Sequence, residues 1–318
     1  MLRGPISILF VAISSIAINA HASKVCKHYA ELLPNLPQTQ CESASLRDAS
    51  ARSVKGRTIW TSDVEPVDAD RRVLVIGGMH GDELSSSAMA FHWIGLAKTS
   101  AAGPSEGGEG PRGGRRGHAV PSVGATSTSG AAAVHWRFIP ALNPDGLFAQ
   151  PAKRVNARGV DLNRNFPTPN WARDSRLYWE KRTRKDPRRW PGSQPLSEPE
   201  ARFLFDQMGS FKPNLIVSIH APYGVLDFDG PLVPPSKLGR LYLDQVGIFP
   251  GSLGNYGGVH KGIPVVTIEL PNAAHTPSEV EMRQMWFDLQ RWMNERLGPT
   301  PAPAKKLAAA PASGPPNP

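Results

Sequence analysis

The sequence predicts an α/β sandwich on a mainly parallel or mixed sheet, and three observations lead there. Short runs of apolar, β-branched residues recur at 73–76 (VLVI), 214–220 (NLIVSIH) and 264–270 (PVVTIEL). Such near-continuous apolar runs mark strands buried on both faces. Helix-like stretches fall between them, and that alternation is the pattern of an α/β sandwich. Each run also ends at, or carries near its end, a glycine pair, a histidine or an acid. In sheets of this class, sites gather where strands end in loops.

Taken in order, residues 1–22 read as a signal peptide. Arg3 supplies a positive start, the apolar run 6–20 follows, and Ala20-His21-Ala22 forms an A-x-A cleavage site. The run is short of the ~20 residues that span a bilayer. The expectation is an exported, periplasmic protein with no stable membrane anchor after cleavage. Residues 23–54 form an N-terminal extension whose Cys26 and Cys41 are able to pair in an oxidising compartment. The run at 73–76 closes at Gly77-Gly78, and residues 84–98 read as a helix with Met89, Trp93 and Leu96 on one side. Residues 134–142 read as a strand closed by the turn NPDG at 143–146. SEPE at 197–200 reads as a capping box opening a helix to about Met208. The runs at 214–220 and 264–270 are two further strands, and residues 277–296 form a last amphipathic helix.

The chain has 318 residues with a formal net charge of +9, 30 Gly and 32 Pro. Residues 99–133 hold nine Gly and three Pro, and residues 298–318 hold two Gly and seven Pro. Neither stretch has apolar periodicity to offset its ordering entropy, so they are expected to be a disordered insertion and a disordered tail. The charge is equally local: residues 171–190 carry eight basic residues against Asp174, Glu180 and Asp186. Outside that segment, the leader, the insertion and the tail, the chain is neutral. A basic balance of this kind does not indicate nucleic acid, and no nucleic-acid-binding signature accompanies it. The segment 171–190, interleaved with Trp171, Tyr178, Trp179 and Trp190, reads either as a solvated surface or as an electropositive rim for an acidic substrate.

Chemistry concentrates at four places. In GGMHGDE, His80 and Glu83 are spaced to face one point on a turn entering a helix. His220 ends an apolar strand. Two imidazoles and one carboxylate make a hydrolytic zinc set that leaves a fourth position open. Glu269 is an acid inside an apolar run, where carboxylates are rarely buried unless paired or working. The stretch 154–167 (RVNARGVDLNRNFP) concentrates guanidinium, amide and carboxylate groups suited to an anionic substrate terminus.

HGDE, NPDG, DLNRNFP, SIH and TIEL, in that order over residues 55–297, resemble the zinc carboxypeptidases of the carboxypeptidase A type. RVNARGVDLNRNFPT, SEPE, SIHAPYG, GSLGNYGG and GIPVVTIELP are most similar to the bacterial murein peptide amidases, which cleave γ-D-glutamyl–meso-diaminopimelate bonds. The resemblance implies a three-layer sandwich with a mixed, mostly parallel central sheet flanked by helices. It implies one Zn2+ per chain held by His80, Glu83 and His220, with Asp161 orienting the first histidine. It implies Glu269 as general base, Arg154 polarising the scissile carbonyl, and Asn163 and Arg164 gripping the substrate's terminal carboxylate. The family's mobile tyrosine has no counterpart in residues 246–249 (VGIF). The uncharged SLG at 252–254 falls where relatives read the terminal side chain. The implied partner is a peptide with a free C-terminal carboxylate, a murein peptide foremost, and the default state is a monomer. Two other readings stand beside this one: an N-acyl amino-acid deacylase of the aspartoacylase or succinylglutamate desuccinylase kind, and a non-catalytic cell-wall binding module.

Overall fold

The computed structural model describes residues 23–102 and 133–298. The proposed leader and nearly all of the insertion and tail lie outside the described residues. A seven-stranded sheet runs in the order β1-β2-β4-β3-β5-β9-β6. Its strands are β1 (Arg47–Arg52), β2 (Thr58–Val64), β3 (Arg71–Ile76), β4 (Val134–Ile139), β5 (Leu215–His220), β6 (Val225–Asp229) and β9 (Val265–Glu269), with a separate small hairpin of β7 (Lys237–Leu238) and β8 (Leu241–Tyr242). The four central strands β4, β3, β5 and β9 are parallel, while β1, β2 and β6 are antiparallel to their neighbours.

Side chains alternate across the strands and split the core into two layers. Val73, Val75, Val217 and Ile268 face α3 (Leu84–Ala101) and α7 (Glu279–Arg296), where Trp93 and Trp286 meet edge-on at 5.3 Å. Leu74, Ile76, Ile216 and Val265 face the opposite way, onto α6 (Pro199–Phe211) and Phe166. The architecture is thus the expected three-layer sandwich. β3 has β4 on one side and β5 on the other, so the strand order reverses there, and a crevice opens beyond the carboxyl ends of β3 and β5.

Four local expectations are corrected. α3 continues through Ala101, three residues into the predicted insertion. The Thr99 hydroxyl donates to the Gly95 carbonyl at 3.0 Å within that last turn. The strand predicted over 134–142 stops at Ile139. Pro140 has no N–H to give, and beyond it Leu142 N donates to Gly77 O and Asn143 N to Gly78 O, in the loop leaving β3. NPDG then forms one helical turn, α4 (Pro144–Leu147), capped by the Asn143 side chain accepting from Gly146 N. SEPE does open a helix, but without a capping box: the Ser197 hydroxyl donates to Glu198 and receives from Asn165, while Glu200 accepts from Val54 N. Finally, the extension 23–54 supplies the edge strand β1, so the sheet begins ahead of the boundary at residue 55. The rest of the extension, helical at α1 (23–32) and at α2 (Gln38–Ser43), packs Tyr29, Leu33 and Cys41 into the core against α3, and a Cys26–Cys41 disulfide joins the two helices. No helix of the described residues is long and apolar enough to cross a membrane.

Candidate active site

Three parallel strands deliver the site. The loop leaving β3 carries His80 and Glu83, with Glu83 at the N-cap of α3. β5 ends on His220 and β9 on Glu269, and these two residues are register partners across the β5–β9 ladder. His80, Glu83 and His220 are each at most 4% exposed. His80 Nδ1 lies 2.8 Å from Glu83 Oε1, His220 Nδ1 lies 3.0 Å from Glu83 Oε2, and the two Nδ1 atoms lie 3.1 Å apart.

The outer nitrogens of both rings are engaged as well. His80 Nε2 meets Asp161 Oδ1 at 3.0 Å, and His220 Nε2 meets Ser218 Oγ at 3.0 Å. A ring that donates its Nε2 proton to Asp161 turns the Nδ1 lone pair inward. Lone pairs converging this closely in a buried place need a proton or a cation between them. Ligand atoms ~2.0–2.2 Å from a tetrahedral zinc would be about 3.3 Å apart, close to the spacing found here. The donor set therefore fits a metal ion, and among the described residues His80, Glu83 and His220 form the group able to hold one.

Asp161 organises the surroundings. It is fully buried and caps the 3-10 turn Leu162–Arg164 by accepting from Asn163 N. Its second oxygen takes Nε and Nη2 of Arg154 at 3.1 and 3.0 Å. Burial alone would raise its proton affinity, but Arg154 and then His80 hold the carboxyl well below the usual carboxylate range. Arg154 also reaches Glu83 Oε1 at 3.3 Å. Asn163 is fixed by accepting from Leu253 N at 2.8 Å. Arg164 is 5% exposed and lies over the Phe249 ring at 4.3 Å, with its Nε buried and unpartnered. Burial lowers the pKa of this guanidinium from 12.5 to about 10. Glu269 has its Oε2 buried without a partner, and desolvation raises its carboxyl above the ordinary value.

One cavity of about 80 Å³ brings these groups together: His80, Glu83, Arg154, Asn163, Arg164 and Glu269 all line it. Asp161 sits behind the wall rather than on it. His220 likewise shows the cavity little surface, although it touches two of the lining residues.

Several site residues escaped sequence reasoning. Ser218 lies two positions before His220, so the period-2 strand rule could have found it. Tyr223, in the β5–β6 turn, lines the cavity where no tyrosine was matched. Asp227, Asp229 and Arg189 line it too, and no local pattern marks them. In the basic segment, Arg188 is anchored to Asp82 of the His80 loop at 2.8 Å, and Tyr178 packs edge-on against Phe249 at 5.7 Å. Seven of the segment's eight basic residues are exposed and Tyr178, Trp179 and Trp190 are half-buried, so α5 (Trp171–Lys181) and the turns after it form a solvated surface tied to the site at these two points.

Comparison with known proteins points to a hydrolytic enzyme. Residues 124–227 match the family described as zinc carboxypeptidase, a span that contains Arg154, Asp161, Asn163, Arg164 and His220. Murein peptide amidase A of Vibrio campbellii is 28% identical over 212 residues, covering 64% of this chain and 71% of that protein. Murein peptide amidase A of Escherichia coli K12 is 39% identical over 88 residues, covering 27% of this chain and 36% of that protein. In fold, the chain is similar to bovine thrombin-activatable fibrinolysis inhibitor in complex with tick carboxypeptidase inhibitor, with a TM-score of 0.52, 14% identity, and coverage of 87% of this chain and 94% of that one. These likenesses identify the chain as a hydrolytic enzyme similar to the zinc carboxypeptidases.

Proposed function

We propose that the chain is an exported amidase that hydrolyses the amide bond next to a free C-terminal carboxylate, the γ-D-Glu–meso-diaminopimelate bond of peptidoglycan peptides. The observation that carries this reading is one cavity that gathers three kinds of group. These are the converging ligand atoms of His80 and Glu83, with His220 against them, the unpartnered Glu269 Oε2, and the buried Arg164 with its unpartnered Nε. Relatives named murein peptide amidase A support the choice of substrate.

His80, Glu83 and His220 hold zinc in this reading, and zinc bound there supplies a Lewis acid. Asp161 keeps His80 in the tautomer whose Nδ1 points inward. Arg164 and Asn163 take the substrate's terminal carboxylate, which sets the neighbouring amide over the metal-binding residues. Arg154, held by Asp161 and Glu83, presents positive charge where the amide oxygen becomes negative. Glu269 accepts a proton from the attacking water at Oε2 and returns it to the leaving amine. Its raised proton affinity brings it closer to the operating pH, which suits both transfers.

The test is incubation of the mature protein with L-Ala-γ-D-Glu-meso-diaminopimelate, succinylglutamate and ordinary C-terminal peptides, followed by mass spectrometry. Release of diaminopimelate from the first is expected. Cleavage of succinylglutamate alone would replace this reading with the deacylase one.

A further inference from the structure

A second cleft opens beside the catalytic cavity. Lys153, Arg154, Trp179, Pro187, Arg188 and Trp190 line a groove of about 570 Å³. Arg154 also lines the cavity that holds His80, Glu83 and Glu269, so the two spaces meet at that guanidinium. The groove is tied to the loop of His80 a second time, because Arg188 Nη1 lies 2.8 Å from Asp82 Oδ2. Apart from Arg154, none of its side chains has a part in the mechanism above.

The walls of the groove are braced and its charges are uneven. Trp179 and Trp190 meet edge-on at 4.5 Å, and Trp179 Nε1 donates to Asp186 O at 2.7 Å. The Asp186 carboxylate accepts from Arg188 N at 2.9 Å and caps the 3-10 turn Pro187–Arg189. Trp190 O accepts from Asp161 N at 2.8 Å, which joins this wall to the residue that orients His80. The lining holds three cationic side chains, Lys153, Arg154 and Arg188, and no acidic one. Arg154 is engaged by Asp161 and Glu83. Arg188 is engaged by Asp82, but its side chain is 59% exposed, and a guanidinium has further N–H groups to give. The Lys153 ammonium has neither a hydrogen bond nor an ion pair among the described residues. The groove therefore carries positive charge that the fold does not balance.

We propose that this groove receives the acyl half of the substrate, and that Lys153 and Arg188 bind a free carboxylate on it. This subsite rests on the amidase reading above and extends it to the other side of the scissile bond. With the scissile carbonyl oxygen at Arg154, the rest of the acyl group leaves the cavity through the groove. In a γ-glutamyl amide the bond to be cut is made by the side-chain carboxyl. The α-carboxylate of the same residue stays free and negative, a few bonds from the reacting carbon. Charge complementarity matches that carboxylate to the two cations. The apolar surface of Trp179, Trp190 and Pro187 suits the uncharged alanyl residue that precedes it. An α-linked peptide with a neutral side chain offers no carboxylate there, so the groove selects γ-linked acyl groups.

The test compares two tripeptides that differ only at that group: L-Ala-γ-D-Glu-meso-diaminopimelate, and the same peptide with its glutamyl α-carboxylate converted to the amide. Wild-type protein is expected to favour the first in kcat/KM by about 10-fold at low salt, the range of a charge-assisted hydrogen bond. The ratio should shrink as ionic strength rises. Lys153→Met and Arg188→Gln should each lower it, mainly through KM for the first peptide, and the double variant should bring it near one. Zinc content, measured alongside, shows whether loss of the partner of Asp82 has disturbed the His80 loop. If it has, Lys153→Met decides alone, and an unchanged ratio in that variant overturns the subsite. A wild-type ratio near one overturns it as well, and so does a full ratio kept in the double variant. Equal cleavage of both peptides leaves the amidase reading standing and removes only this subsite. Cleavage of neither removes the amidase reading and the subsite with it.

Discussion

Arg164→Met should make the protein more stable and less able to bind substrate. In the folded chain Arg164 is 5% exposed, has no carboxylate within ion-pair distance among the described residues, and keeps Nε unpartnered. Burial lowers its pKa from 12.5 to about 10, which corresponds to roughly 3 kcal/mol against the charged form. Two contacts give part of that back: the guanidinium over Phe249 at 4.3 Å, and Nη1 donating to Asn163 O at 2.6 Å. Each contributes about 1 kcal/mol. Methionine keeps most of the apolar stem, so the net expectation is about 1 kcal/mol of added stability. The lost grip on a terminal carboxylate should raise KM by about 10- to 100-fold. Urea unfolding, read as a shift in midpoint at constant slope, measures the first effect. Steady-state kinetics on the diaminopimelyl tripeptide measures the second. A variant less stable by more than ~1 kcal/mol, or one with unchanged KM, would refute the idea that this arginine is buried for substrate rather than for the fold.

Three further expectations follow from the same geometry. Asp161→Asn should weaken zinc binding by about 10- to 100-fold in a chelator competition, because it disturbs the bond that fixes His80. Ser replacement of both Cys26 and Cys41 should lower stability by about 3 kcal/mol in the oxidised protein, since the bridge closes a separation of 15 residues. It should leave the kinetics unaltered. Asp229 titrates at about 6 in the fold, above its ordinary 3.8. The native state therefore holds the proton to higher pH than the unfolded chain, and this group costs stability progressively as pH rises from about 4 to above 6. Asp229→Asn should gain on wild type across that window by about 1 kcal/mol after allowance for solvent screening. A gain of equal size at pH 4 and pH 7 would contradict the assignment.

Much of the site was legible because its residues announce themselves against their surroundings. His220 and Glu269 interrupt apolar strands, and His80 and Glu83 stand at a turn spacing. What the sequence concealed is non-local. The His220–Glu269 register depends on ladder pairing, and Asp227 and Asp229 acquire meaning only because β6 folds back onto β9. β1, with its alternating exposed and half-buried residues, has the weak pattern of an edge strand and was hidden in the extension. SEPE misled in detail because Ser197 is drawn sideways to Asn165 and Glu198, a competition that local spacing does not display. Residues 254–260, which begin inside GSLGNYGG, form a π-helical turn that lets Asp229 approach, a geometry that the glycine-rich sequence does not display.

Every role proposed for the site depends on His80, Glu83 and His220 holding a metal ion beside Glu269. Elemental analysis of the purified mature protein, alongside His220→Ala and Glu269→Gln, tests it most directly. About one zinc per chain is expected in the wild type, with loss of it in His220→Ala and retention of it in Glu269→Gln, whose hydrolysis falls by about 100-fold or more. A metal-free wild-type protein that still releases diaminopimelate, or a His220→Ala variant that keeps its zinc, would contradict it.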